Sequence, residues 1–177
     1  MEGADIEFVN ADVIARRLDG ANPDGAAFAA GRVMLAHLRS LAARRATFAF
    51  ESTLASRTFA PFLRALSAVR HRVHLHHVWL RSASIAVNRV RTRVSMGGHN
   101  VPADVVSRRY ARSVFNCRTL YLPIAHRWHV FDNSAVPLQP VADGSLAVVD
   151  TIYNQAAWDR FQRTAERGPD DPAADGQ

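Results

Sequence analysis

Short apolar segments alternate with longer helical segments along the chain, and this alternation constrains the fold more than any other feature. The apolar segments end in polar residues: residues 6–9 lead to Asp12, and residues 47–50 lead to Glu51. Strands that alternate with helices are typical of α/β folds, in which parallel strands end at one edge of the sheet. We therefore predict an α/β fold with a mostly parallel sheet and a functional site at its carboxyl edge.

The hydrophobic periodicity assigns most residues to strands or helices. Strands are predicted over residues 6–9, 47–50, 72–80 and 128–131, with weaker extended segments at 138–141 and 146–149. Helices are predicted over residues 12–18, 26–45, 59–69, 84–94, 102–121 and 152–166. We predict one domain over residues 1–165 and a disordered tail over residues 166–177, which are rich in Pro, Asp and Gly.

The chain is basic, and all of its basic charge comes from arginine. It has 22 Arg and no Lys, with a net charge of +6. A basic balance admits an anionic metabolite or nucleic acid as a partner. Cys117 is the single cysteine, which excludes an internal disulfide and favours a reducing compartment. No apolar run approaches the length of a membrane span, and the acidic start has no leader-like apolar region, so we expect a soluble cytoplasmic protein.

Six arginines flank the Gly97-Gly98 pair between residues 89 and 112. In a helix, Arg89 and Arg93 share one face because they lie four residues apart, and Arg108 and Arg112 do the same. Paired guanidinium groups can bind phosphate oxygens bidentately. A mobile phosphate-binding lid over residues 84–115 is one interpretation, with the glycines as its hinge. A solvated basic helix pair is the alternative.

Polar residues follow three of the predicted strands: Asp12, Glu51 and Asp132. At one sheet edge, a carboxylate can accept a hydroxyl proton while cationic groups neutralise a phosphoryl group in transfer. The alternatives are that Asp12 only caps a helix and that Glu51 only forms a buried ion pair.

Several other residues have simpler interpretations. His74 and His76 share a strand face, but no third ligand at a suitable spacing supports a metal site, and none is predicted. Cys117 is interpreted as a small core residue. Asp143-Gly144 has the composition of a turn.

Several motifs, in order and spacing, resemble those of the zeta-toxin-like kinases, a family of P-loop kinases. The similar segments are Phe8-Val9-Asn10-Ala11-Asp12, Gly31-Arg32, Phe50-Glu51-Ser52-Thr53-Leu54, Gly97-Gly98-His99-Asn100-Val101-Pro102, Arg108-Arg109-Tyr110, Leu120-Tyr121 and Asp132-Asn133-Ser134. The resemblance implies a P-loop kinase-like parallel sheet flanked by helices. It also implies ATP- and Mg²⁺-dependent phosphorylation of a small-molecule hydroxyl, with UDP-N-acetylglucosamine as a candidate substrate and an antitoxin protein as a candidate partner.

The resemblance also implies roles for single residues. Asp12 would accept the hydroxyl proton. The implied substrate-binding residues are Glu51, Thr53 and Arg57. The implied phosphate-binding residues of the lid are Arg89, Arg93, His99, Arg108 and Arg109. Asp132 and Asn133 would lie near the nucleotide base.

One departure from the family sets a limit on these expectations. The sequence has no GxxxxGK[ST] motif, whose backbone and lysine hold the phosphates in this family. The strands at 47–50 and 72–80 would then lack the first, central strand that lies between them in the family. We expect little or no kinase activity, either because the start codon is assigned too far downstream or because the gene is a truncated remnant.

The alternative function is a non-enzymatic, Arg-rich binding module for nucleic acid or for the partner of a toxin–antitoxin pair. Nucleic acid is the less favoured partner, because the aromatic residues are not interleaved with the arginines.

Overall fold

The chain has a mixed α/β fold that divides into two units. The computed structural model describes residues 6–20, 25, 27–98 and 100–168. Its compact units are Met1–Ser52, here the N-terminal unit, and Thr53–Gln177, here the C-terminal unit. The single domain over residues 1–165 stays a prediction. The described strands form two separate sheets, one in each unit.

The N-terminal unit is a two-stranded parallel sheet with two helices. Its elements are β1 (Glu7–Val9), α1 (Ala11–Leu18), α2 (Ala27–Ala43) and β2 (Phe48–Phe50). Glu7 pairs with Phe48 and Val9 with Phe50. The buried apolar side chains of this unit include Val9, Ala15, Ala30, Met34, Leu38 and Leu41. The parallel pairing places the carboxyl ends of β1 and β2 side by side, as the sequence predicts.

The C-terminal unit contains a four-stranded sheet in the order β3-β4-β5-β6. Its elements are α3 (Phe59–Ala68), β3 (His74–Trp79), α4 (Ala83–Ser95), α5 (Ala103–Asn116), a π-helical turn (Cys117–Tyr121), β4 (Arg127–Asp132), β5 (Gln139–Ser145), β6 (Val148–Ile152) and α6 (Gln155–Glu166). β3 and β4 are parallel, whereas β4–β5 and β5–β6 are antiparallel. The prediction of a mostly parallel sheet is therefore right for two strand pairs and wrong for the other two.

The β5–β6 hairpin has its turn at a different place from the predicted one, and close packing surrounds the residues that were predicted to form the turn. Asp143 and Gly144 lie inside β5, and the turn falls at residues 146–147. A Cβ at Gly144 would collide with the backbone oxygen of Val148 on β6 and with the ring of Trp128 on β4, so a glycine is needed there for close approach rather than for a turn. β6 then extends to Ile152, and α6 begins only at Gln155.

The core of the C-terminal unit supports the carboxyl ends of β3 and β4. The fully buried side chains include Trp79, Tyr121, Trp128, Val130, Val141 and Phe161. The rings of Trp128 and Trp158 stack with centroids 5.8 Å apart, and α6 thereby covers one face of the sheet. Cys117 is buried, as predicted, and burial raises the pKa of its thiol.

Candidate functional site

Asn10 organises the carboxyl edge of the N-terminal unit. It is the N-cap of α1, and its Oδ1 accepts hydrogen bonds from the backbone N–H groups of Asp12 at 2.7 Å and Val13 at 3.2 Å. Its Nδ2 donates to Oε1 of Glu51, which follows β2. The alternative in which Asp12 only caps this helix is wrong, because Asn10 supplies the capping oxygen.

The same contacts place Asp12 and Glu51 at one edge of the β1–β2 pair. Asp12 lies in the first turn of α1, and both carboxylates are exposed. Glu51 accepts its hydrogen bond from a neutral amide, so the alternative of a buried ion pair does not describe it. Both groups retain oxygen atoms that can accept a proton or a hydroxyl hydrogen bond.

Asp132 organises the carboxyl edge of the C-terminal unit. Its side chain is only 3% exposed, and its Oδ2 accepts a hydrogen bond from Arg81 Nε at 2.5 Å. Its Oδ1 accepts from the backbone N–H of Ser134 at 2.8 Å, and Ser134 Oγ accepts from the backbone N–H of Arg81 at 2.8 Å. Burial on its own would raise the pKa of Asp132, but the hydrogen bonds from Ser134 and Arg81 outweigh it and lower the pKa. The carboxylate is therefore ionised and occupied by its neighbours.

Both helices of the predicted lid are bonded to this edge. An Nη2 of Arg89 on α4 donates to the carbonyl oxygen of Asn133 after β4. The hydroxyl of Tyr110 on α5 donates to the carbonyl oxygen of Leu80 after β3, at 2.8 Å. α4 and α5 also pack against each other. The structure thus forms a helical hairpin that is attached to the sheet edge through both of its helices.

The Gly97-Gly98 pair ends α4 in a Schellman motif. The backbone N–H of Gly97 donates to the carbonyl of Val94, and that of Gly98 to the carbonyl of Arg93, each at 2.9 Å. Gly97 has a φ of +88°, a conformation that favours glycine. The structure therefore gives the pair a capping role, and the predicted hinge motion stays a prediction.

The remaining hairpin arginines face solvent. They are Arg91, Arg93, Arg108, Arg109 and Arg112. In the described part of the hairpin, Arg108 has an ion pair, with Asp104 at 3.9 Å, which is long enough to contribute little. The hairpin is thus a strongly basic surface whose guanidinium groups are largely uncompensated.

The other predicted site residues fall in several places. Thr53 and Arg57 are exposed in the segment that precedes α3, where Thr53 Oγ1 accepts from the backbone N–H of Ala55 at 3.4 Å. His99 lies outside the described residues. Asp12 and Glu51 belong to one unit and the arginine hairpin to the other, so the pocket that they would share stays a prediction.

Arg81 is the residue of this edge that the sequence analysis did not identify. Its partners Asp132 and Ser134 lie more than 50 residues along the chain. An isolated arginine after a strand carries no local signal of such a contact.

The histidines of β3 and β4 stack rather than converge. The rings of His76 and His129 lie nearly parallel, 5.1 Å between centroids. Burial, together with the neighbouring His129 and His74, lowers the pKa of His76. No group of three or more His, Cys, Asp or Glu side chains among the described residues is arranged to hold a metal ion.

Comparisons with known proteins give one similarity. No protein-family model and no solved structure matches the chain. The chain is similar to an uncharacterized protein of Haemophilus influenzae, with 28% identity over 102 residues that cover 58% of this chain and 73% of that protein. No helix in the described ranges is long and apolar enough to cross a membrane.

Proposed function

We propose that this chain is a nucleotide-binding domain of the zeta-toxin-like kinase type, whose α4–α5 hairpin binds phosphate groups. The observation that carries the proposal is the attachment of the hairpin to the carboxyl edge of β3–β4 through Arg89 and Tyr110. In α/β folds, ligands bind outside the carboxyl ends of parallel strands. Arginines held at such an edge are suited to phosphate oxygens.

The proposal also includes a hydroxyl-bearing substrate, and the acidic edge of the N-terminal unit supports this. Asp12 and Glu51 are exposed carboxylates at the ends of adjacent parallel strands, and a hydroxyl substrate needs such an acceptor. The family resemblance assigns the proton-accepting role to Asp12. A small molecule with a free hydroxyl, such as a nucleotide sugar, is the substrate class that this chemistry would take.

Mg²⁺ is implied by the resemblance. The described residues include no group of three or more His, Cys, Asp or Glu side chains that could hold a metal ion. Mg²⁺ is usually bound through one or two carboxylates and the phosphates of a substrate, so it does not require such a group. The residues of this chain would contribute cationic donors to the phosphates and a carboxylate acceptor to the hydroxyl.

Nucleotide binding by the 177-residue chain is the decisive measurement. We expect calorimetry to show binding of ATP and ADP, and the double change Arg89→Gln, Arg93→Gln to weaken both by about tenfold or more. The matched control changes Arg64 and Arg163 to Gln, since these exposed arginines lie on α3 and α6 with no described side-chain partner. The control should bind like the unmodified chain.

Three outcomes would decide against the proposal. The absence of nucleotide binding by the unmodified chain would exclude it, as would equal loss in the control. Tighter binding of a single-stranded oligonucleotide than of ATP would favour the Arg-rich nucleic-acid module instead.

Phosphoryl transfer to UDP-N-acetylglucosamine is the separate kinase test. We expect very slow transfer because the chain has no lysine to stabilise the transferring group. Stoichiometric transfer that is lost in Asp12→Asn would contradict that expectation and assign the proton-accepting role.

A further inference from the structure

Arg81 is held from two directions at the junction between β3 and α4. Its backbone N–H donates to Ser134 Oγ at 2.8 Å, and its Nε donates to Asp132 Oδ2 at 2.5 Å. Ser82, the next residue, is the N-cap of α4. The backbone and the side chain of Arg81 are therefore both fixed to the segment that follows β4.

The contact with Asp132 uses only part of the Arg81 guanidinium. The second carboxylate oxygen, Oδ1, accepts from the backbone N–H of Ser134, so the pair is held through Nε. A guanidinium has five N–H donors, and the four on the terminal nitrogens have no hydrogen-bond partner within the described chain. The Arg81 side chain is 48% exposed whereas Asp132 is buried, so the terminal nitrogens lie on the solvent side of the pair.

The charges at this edge favour an anion. Arg81 and Arg89 supply two positive charges against the single carboxylate of Asp132, because the partner of Arg89 is a neutral carbonyl. The N-terminus of α4, directly after Arg81, adds a favourable field for an anion. An arginine that is already ordered also loses less conformational entropy on binding than a free one.

We propose that Arg81 is a second phosphate-binding residue, which acts with Arg89 on a phosphate group at the carboxyl edge of β3–β4. This inference rests on the proposed nucleotide-binding function and names a contact within it. Asp132 and Ser134 position Arg81, while the exposed terminal nitrogens of Arg81 bind the phosphate oxygens.

The test compares three probes that differ in phosphate content: inorganic pyrophosphate, ADP and adenosine. Arg81→Gln should weaken pyrophosphate and ADP by about tenfold and leave adenosine binding unchanged. Arg81→Lys should weaken both phosphate probes by about threefold, because the charge remains but the planar fork is lost. Arg163→Gln, an exposed arginine of α6, is the control with the same charge change and should have no effect.

The outcomes separate this inference from the function on which it rests. Binding of neither phosphate probe to the unmodified chain overturns both. Weakened binding in Arg89→Gln with unchanged binding in Arg81→Gln overturns the role of Arg81 alone. Equal weakening of adenosine would show a structural role and also overturn it. If Arg81→Gln loses its near-ultraviolet circular dichroism, Arg81→Lys decides, and unchanged pyrophosphate binding in that variant overturns the inference.

Discussion

The two parallel strand pairs differ in the carboxylates at their carboxyl ends. At the end of β1–β2, Asp12 and Glu51 are exposed, and a neutral amide, Asn10, connects the strand ends. At the end of β3–β4, Asp132 is buried and its oxygens are occupied by Arg81 and Ser134. Each edge thus has one side chain that links the strand ends, but only the N-terminal edge leaves its carboxylates available.

Burial accounts for this difference. Asp132 is buried at the end of β4, opposite Trp79 of β3, where a carboxylate must be satisfied by hydrogen bonds and an opposite charge. Asp12 and Glu51 face solvent and carry no such requirement. A carboxylate therefore positions one arginine, Arg81, in the C-terminal unit, whereas the carboxylates of the N-terminal unit are exposed to solvent.

The largest expected effect is a loss of stability of the C-terminal unit at acid pH. It would extend the comparison from the buried Asp132 to a buried histidine of the same unit. His77 on β3 is buried against Phe161, and its Nε2 has no hydrogen-bond partner among the described residues. Desolvation lowers the pKa of His77 from 6.5 to about 4. Since the folded state then binds fewer protons than the unfolded state, this contribution to stability is complete above pH 6.5. As the pH falls from 6.5 to 4, His77 therefore lowers the free energy of unfolding by about 3 kcal/mol.

Urea unfolding between pH 4 and pH 7 measures this effect. The three tryptophans, Trp79, Trp128 and Trp158, all lie in the C-terminal unit, so their fluorescence reports on that unit. His77→Leu should remove most of the pH dependence between 4 and 6.5. An unchanged dependence in that variant would assign it to other groups.

A second, smaller effect compares the two carboxylates directly. Asp132→Ala removes the acceptor of Arg81 Nε and of the Ser134 N–H, and we expect it to lower the free energy of unfolding by about 2 kcal/mol. Glu51→Ala removes an exposed group and should change it by less than about 0.5 kcal/mol. Urea unfolding followed by far-ultraviolet circular dichroism measures both variants. Equal losses would break the contrast between the two edges.

The sequence predicted those features of the fold that depend on neighbouring residues, namely strand ends and helix bounds. Polar residues after apolar segments correctly placed Asp12, Glu51 and Asp132 at strand ends, and periodicity placed both hairpin helices close to their observed bounds. It named Asp12 as the possible cap, whereas Asn10 is the cap; both residue types cap helices, and they lie two positions apart.

Long-range contacts were beyond that reasoning. The partners of Arg81 and the approach of Trp128 to Gly144 join residues that are distant in the chain. The Asp143-Gly144 pair predicted a turn, but both residues lie inside β5. The composition is typical of a turn, and packing against other strands determined the structure instead. The antiparallel hairpin that follows was missed for the same reason.

The smallest expected effect comes from replacing one glycine in each unit by alanine. The result at Gly97 shows whether this residue acts as a helix cap or as a hinge. Gly31 lies inside α2, where a Cβ would meet no atom within 4 Å, so Gly31→Ala should stabilise the chain by about 0.5–1 kcal/mol. Gly97 also has open space for a Cβ, but its φ of +88° strains any L side chain, and Gly97→Ala should destabilise by about 1 kcal/mol. Thermal unfolding of both variants gives the two signs. A neutral Gly97→Ala would mean that the α4–α5 connection leaves the left-handed conformation without cost, which is the behaviour of a hinge rather than of a cap.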